Sequence, residues 1–177
     1  MSKLYFVRHG QSQWNVENKI CGQTDIPLTD EGRAQARLTA QKIIDQKICA
    51  QKILYSPLSR AKETALIISE MTNISSQEEP VLIEQNFGMY EGTPRDGLEF
   101  KQAKKEFLNR YQNGESMFFL AQRIYNLLDQ LKNEKKDFIL VAHNGIARVV
   151  QSYFYQMTND EYASFGIKNC EVREYEF

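Results

Sequence analysis

Residues 4–15 read Leu4-Tyr5-Phe6-Val7-Arg8-His9-Gly10-Gln11-Ser12-Gln13-Trp14-Asn15. Leu4 to Val7 is a compact apolar run of the length a buried strand needs, and it ends abruptly at an arginine, an imidazole and a glycine. A second stretch repeats the arrangement: Phe138-Ile139-Leu140-Val141-Ala142 runs into His143-Asn144-Gly145. His9 and His143 are the chain's two histidines. In open α/β sheets, ligands bind in the crevice outside the carboxyl ends of the strands. Two imidazoles placed just past two such ends are therefore in a position to converge. A lone histidine is more often a structural residue, and the matched setting of the pair is what turns the reading toward a site.

Outward from these two anchors, short apolar runs alternate with segments of helical period, the signature of an α/β domain. Thr29 can cap a helix with Asp30 and Glu31 in its first turn and Ala36, Ala40, Ile43 and Ile44 on one face. Gln51 to Tyr55 reads as a second strand, with a helix from about Arg60 to Met71 after Ser56-Pro57. Val81 to Glu84 reads as a third short strand. Gly97 to Arg110 has a helical pattern with Phe100, Ala103, Phe107 and Leu108 on its apolar side. A longer helix follows Glu115, with Leu120, Ile124, Leu127, Leu128 and Leu131 at core spacing. Ile146 to Tyr155 reads as the helix after the 138–142 strand, and the stretch from Ile167 to Phe177 as a final edge strand.

The chain has 177 residues, about one domain. Hydrophobic residues make up 42% and charged residues 25%, which is globular usage. Lys and Arg total 22 against 23 Asp and Glu, so no overall positive field exists to gather nucleic acid or an anionic membrane, and neither is expected as a partner. An anionic ligand has to be held by a few local arginines. Three scattered cysteines, Cys21, Cys49 and Cys170, fit neither a disulfide framework nor a zinc-ligand spacing, which favours a reducing compartment. The first residues turn polar too soon for a signal peptide, and no apolar run is long enough to span a membrane. A cytoplasmic location is expected.

Arg8 puts a fixed positive charge beside His9, and Arg60 follows Ser56-Pro57-Leu58-Ser59 at another strand-to-helix junction. The planar guanidinium fork suits phosphate oxygens, and helix N-termini add backbone N–H groups. Glu84 precedes Gln85-Asn86-Phe87-Gly88; a carboxyl beside a bound anion has its pKa raised and can donate a proton.

Taken in order, these stretches resemble the histidine phosphatase superfamily, the phosphoglycerate mutase-like enzymes. Arg8 to Asn15 resembles the opening signature. Gly22-Gln23-Thr24-Asp25-Ile26-Pro27-Leu28-Thr29 with Gly32, Ser56-Pro57-Leu58-Ser59-Arg60-Ala61 with Thr64-Ala65, Glu84 with Gly88, Glu91 and Gly92, Gly114-Glu115-Ser116, and Val141 to Gly145 complete the pattern. The resemblance implies that His9 is the nucleophile that becomes a phosphohistidine and that Glu84 is the general acid. It places Arg8, Arg60 and His143 around the phosphoryl group, with Asn15 and the Asn144 backbone adding donors and Gly22 and Gln23 near the substrate. No cofactor and no metal is implied. Tyr90 stands where the family often has tryptophan, and Asn144 where it often has glycine.

Motifs and resemblance together predict a single α/β domain over 1–177: a three-layer α/β/α sandwich with a mainly parallel central sheet, and a small helical cap at about 93–113. The short cap and the expected absence of a long C-terminal tail favour an open pocket and hydrolysis of a small phosphorylated metabolite. A phosphoglycerate mutase is the alternative. A metal hydrolase using His9, His143 and Glu84 would suffer from Arg8 and Arg60 crowding the cation. A phosphoprotein-binding module without activity would be expected to lack the nucleophile or the acid, and both are present.

Overall fold

The computed structural model describes residues 1–177. Five strands, β1 (Lys3–Arg8), β2 (Lys52–Tyr55), β3 (Ser76–Glu78), β4 (Phe138–Ala142) and β5 (Val172–Glu176), form one sheet in the order β3-β2-β4-β1-β5. The first four run parallel, and β5 lies antiparallel to β1 at the edge. Seven α-helices complete the fold: α1 (Gln13–Val16), α2 (Asp30–Asp45), α3 (Ser59–Thr72), α4 (Leu98–Ala103), α5 (Met117–Glu134), α6 (Asn144–Phe154) and α7 (Asn159–Ser164). No helix is long and apolar enough to cross a membrane.

The two-residue period of a strand divides the core. Leu4, Phe6 and Leu140 point to one face, where Ile124 and Leu128 of α5 and Ile146 and Val150 of α6 cover them. Tyr5, Val7, Ile139 and Val141 point to the other, against Ala40 and Ile43 of α2 and Ala61, Ala65 and Ile68 of α3. All five residues of β4 are buried, as expected for a strand covered on both faces. Helix starts are set locally: Thr29 Oγ1 accepts from the Gly32 N–H at 3.0 Å, and the Ser116 hydroxyl accepts from Phe119.

Four readings of the sequence need correction. Val81–Glu84 is not a strand; Pro80–Leu82 forms a 3₁₀ turn, because Pro80 has no N–H for a ladder and the Glu79 carboxylate accepts from the Val81 N–H. The third strand is instead Ser76–Glu78, a polar edge segment paired with β2. Within Gly97–Arg110 only Leu98–Ala103 is helical, and Leu108 is 78% exposed. Ile44 is 42% exposed, off the buried face of α2. Finally, α6 starts at Asn144, two residues earlier than expected, which makes His143 its N-cap.

The cap segment has its own small core. Phe100, Ala103 and Tyr111 pack with Ile20 and Phe87, and Tyr90 lies against them. Backbone bonds from Ile20 N–H to the Thr93 carbonyl and from Arg95 N–H to the Asn18 carbonyl, both 2.9 Å, tie the segment to the loop after α1.

Candidate active site

Sheet order determines where the two histidines meet. The chain leaving β1 crosses to the face of α2, whereas the chain leaving β4 enters α6 on the opposite face. The two connections diverge and open a crevice between adjacent parallel strands, the place where α/β sheets bind ligands. Arg8 pairs with Ala142 in register, and the His9 N–H donates to the Ala142 carbonyl at 2.9 Å. The next residues are His9 and His143. Their rings lie edge to face with centroids 5.1 Å apart.

His9 Nδ1 lies 2.7 Å from the Gly10 carbonyl, which can only accept, so Nδ1 carries the proton. Burial, then the charges of Arg60 and Arg8, hold the ring well below the usual histidine pKa. The ring is therefore neutral, and Nε2 is left with a lone pair. The close approach that seats Gly10 requires glycine: a Cβ there would fall 2.3 Å from the Gly32 carbonyl oxygen. His143 is fully buried, with Nε2 at 2.7 Å from Ser56 Oγ and Nδ1 unpartnered. Burial, followed by Arg60 and His9, pushes its pKa well down too.

Arg8 donates from Nη1 to the Ile167 carbonyl at 2.6 Å, while its Nε is buried with no partner. Burial first, and Arg95 second, lower its pKa to about 10. Arg60 is fully buried; its two terminal nitrogens donate to the carbonyls of Gly22 and Thr24 at 2.7 and 2.9 Å, and its Nε is also unpartnered. Gln23 donates from Nε2 to the Glu84 carbonyl at 3.0 Å and from its backbone to Glu91 at 2.9 Å. The Glu84 carboxyl accepts backbone N–H bonds from Gln85 at 2.8 Å and Gly145 at 3.0 Å. These lower its pKa, but burial outweighs them and the net shift is upward.

A cavity of about 80 Å³ opens at this point. Of the residues picked out in the sequence, Arg8, His9, Asn15, Glu84 and Asn144 line it. Arg60 and His143 are fully buried and not part of the wall; Gly22 and Gln23 are likewise absent from it and hold Arg60 and Glu84 through the bonds above. Arg95, Lys104 and Arg148 complete a cationic wall, and none of the three has an ion-pair partner. Burial, then Arg148 and Arg95, bring Lys104 down to about 7. Arg95 and Lys104 belong to the cap segment. The sequence offered Ser56 only as part of a motif and gave no sign of Arg148 or Asn169, since each reaches the site by tertiary contact. His9, His143 and Glu84 do not assemble into a metal-holding cluster, nor does any other set of three His, Cys, Asp or Glu side chains.

A family model described as histidine phosphatase superfamily (branch 1) matches residues 4–177. A Yersinia pestis protein described as "probable phosphoglycerate mutase GpmB" is 33% identical over 187 residues, covering 100% of this chain and 86% of the relative. Among solved structures, a native mycobacterial glucosyl-3-phosphoglycerate phosphatase superposes with a TM-score of 0.83 at 25% identity, covering 98% of this chain and 89% of that one. A Thermus thermophilus protein, TTHB049, gives a TM-score of 0.78 at 28% identity, covering 99% and 94%.

Proposed function

The chain belongs to the histidine phosphatase superfamily, and from that premise we propose that it hydrolyses a small phosphomonoester through a phosphohistidine. The observation that carries this reading is His9, a buried neutral ring with its proton committed to Gly10 and its Nε2 lone pair free beside a cationic pocket. Nε2 attacks phosphorus while Glu84 protonates the departing ester oxygen. Water then attacks the phosphohistidine, giving its proton back to the Glu84 carboxylate, and inorganic phosphate leaves. Arg8 faces the developing charge on the phosphoryl oxygens, and its unpartnered Nε supplies a donor that has no other use. The His143 ring packs edge to face with the His9 ring, and the Arg60 guanidinium is held by the Gly22 and Thr24 carbonyls.

Hydrolysis is favoured over phosphoryl return because the cap is small: its one helix, α4, has six residues. A phosphoglycerate mutase is the second reading, and the Yersinia relative favours it. Phosphate release from p-nitrophenyl phosphate in excess EDTA tests the hydrolase. Full activity with chelator is expected, and loss of activity with chelator would overturn the metal-free mechanism. With a phosphoglycerate as substrate, inorganic phosphate is the expected product; an isomerised phosphoglycerate would move the assignment to mutase.

Three unpaired cations beyond Arg8 also point to a substrate with a second anionic group. Arg148→Gln is expected to raise KM about tenfold for such an ester, the scale of one charge-assisted hydrogen bond, while leaving p-nitrophenyl phosphate nearly unaffected. Lys104 loses its charge as pH rises through about 7, so the KM of the anionic ester should increase above neutrality. Equal effects on both substrates would exclude this subsite.

A further inference from the structure

The stretch Ile167–Cys170, which precedes β5, makes direct bonds to four residues of the pocket. Arg8 Nη1 donates to the Ile167 carbonyl at 2.6 Å, and the Ile167 N–H donates to Asn144 Oδ1 at 2.9 Å. Asn169 donates from Nδ2 to the His9 carbonyl at 2.9 Å and to Asn15 Oδ1 at 3.1 Å. The Cys170 N–H donates to the Arg8 carbonyl at 2.9 Å, and the Cys170 carbonyl accepts from Thr39 Oγ1 of α2 at 2.9 Å.

Both ends of the stretch are anchored. Ile167 is buried in the core with α5 and α6, and β5 pairs with β1 from Val172 opposite Val7. Gly166 leaves room for the Asn144 amide, since a Cβ there would already lie 3.2 Å from Asn144 Nδ2. Sheet pairing begins only at Val172, so the two asparagine contacts lie outside the ladder. Their common feature is what they hold. One bond fixes where the Arg8 fork points, because Arg8 has several rotatable bonds and this carbonyl anchors its tip. The other fixes the backbone of His9 and turns the Asn15 carboxamide, whose Oδ1 also accepts from Ser12 at 3.0 Å.

Building on the reading that Arg8 and His9 handle the phosphoryl group, we infer that Ile167–Cys170 is a positioning strap. Asn144 aims the Arg8 guanidinium through Ile167, and Asn169 holds His9 and Asn15 in place. Asn144 is thus a positioning residue whose carboxamide oxygen is engaged by the Ile167 N–H, and a glycine at this position would lack the contact. Misplacement of about 1 Å in such a site costs on the order of 100-fold in rate.

Two double-mutant cycles on the full chain test the strap, read by hydrolysis of p-nitrophenyl phosphate and by calorimetric binding of inorganic phosphate. Asn144→Ala alone should reduce kcat/KM and phosphate affinity about 10-fold to 100-fold. In an Arg8→Lys background the same change should add less than about twofold. Asn169→Ala and Asn15→Ala should show the same non-additivity. Additive losses in both cycles would mean that the asparagines act through general stability, and would overturn the strap. If Asn169→Ala does not fold, the Asn144 cycle decides alone. A wild type that binds phosphate but cleaves no ester would sink the hydrolase reading and leave the binding cycles to judge the strap. A wild type that binds no phosphate would overturn both.

Discussion

His9→Ala is expected to reduce phosphate release on the order of 10⁴-fold or more, because it removes the atom to which the phosphoryl group is transferred. The pocket cations remain in the variant and still bind the ester, so KM should move far less than kcat. The geometry leaves little room for a substitute nucleophile. Ser56 is fully buried, with its hydroxyl engaged by His143. Cys21 lines the pocket, but burial raises its thiol to about 11, so it is protonated at neutral pH. His143 has its Nε2 on Ser56 and is closed to solvent. The wild type, quenched with denaturant during turnover of a labelled ester, should carry an acid-labile, alkali-stable phosphoryl group, and His9→Ala should carry none. Because the ring is held neutral well below the usual histidine value, protonation of His9 should not reduce the rate between pH 7 and about 6. A labelled phosphoenzyme in the His9→Ala variant would assign the nucleophile elsewhere.

The two strand ends that carry this chemistry were legible because burial on both faces leaves a strong mark. Leu4 to Val7 and Phe138 to Ala142 are continuous apolar runs; the first stops at Arg8, one residue before His9, and the second at His143. Register did the rest: β1 and β4 are neighbours aligned at Arg8 and Ala142, so side chains distant in sequence meet. The third strand left no such mark. Ser76–Glu78 is a polar edge segment that pairs with β2 through its backbone and one Lys52–Gln77 side-chain bond, and Val81–Glu84 took its place in the reading because it is apolar. The same limit applies at the site. Glu84 was drawn from its company of motifs, and its position depends on two backbone N–H groups that no spacing announces. Asn169 bonds His9 and Asn15 across the edge of the sheet, a contact fixed by how β5 folds back rather than by any local pattern. Arg148 shares α6 with buried neighbours, and only the three-dimensional wall distinguishes it from a surface arginine.

Glu84→Gln should produce different losses for different leaving groups. Departure of an alkyl alkoxide needs a proton, and removing the general acid should slow that step on the order of 10²-fold to 10⁴-fold. p-Nitrophenolate leaves without one, so phosphorylation of His9 should stay fast while the second step, which needs a base for the attacking water, becomes slow. The expected signature is a burst of p-nitrophenol equal to the enzyme concentration, followed by slow turnover. The substitution also carries a structural cost, because the Glu84 carboxyl accepts from both Gln85 and Gly145 and an amide nitrogen cannot accept from either. One backbone N–H loses its partner, a loss of about 1–3 kcal/mol. A second measurement independent of that cost is the wild-type pH profile. Burial raises the Glu84 carboxyl above its ordinary 4.5, so the acid form persists to higher pH than a free carboxyl allows. Activity on an alkyl phosphate should fall as pH rises through that elevated value, since the proton donor is lost. The p-nitrophenyl ester should show no such limb for its burst phase. A Glu84→Gln variant that cleaves both esters in the same ratio as the wild type, with no burst, would place the proton donor on another group.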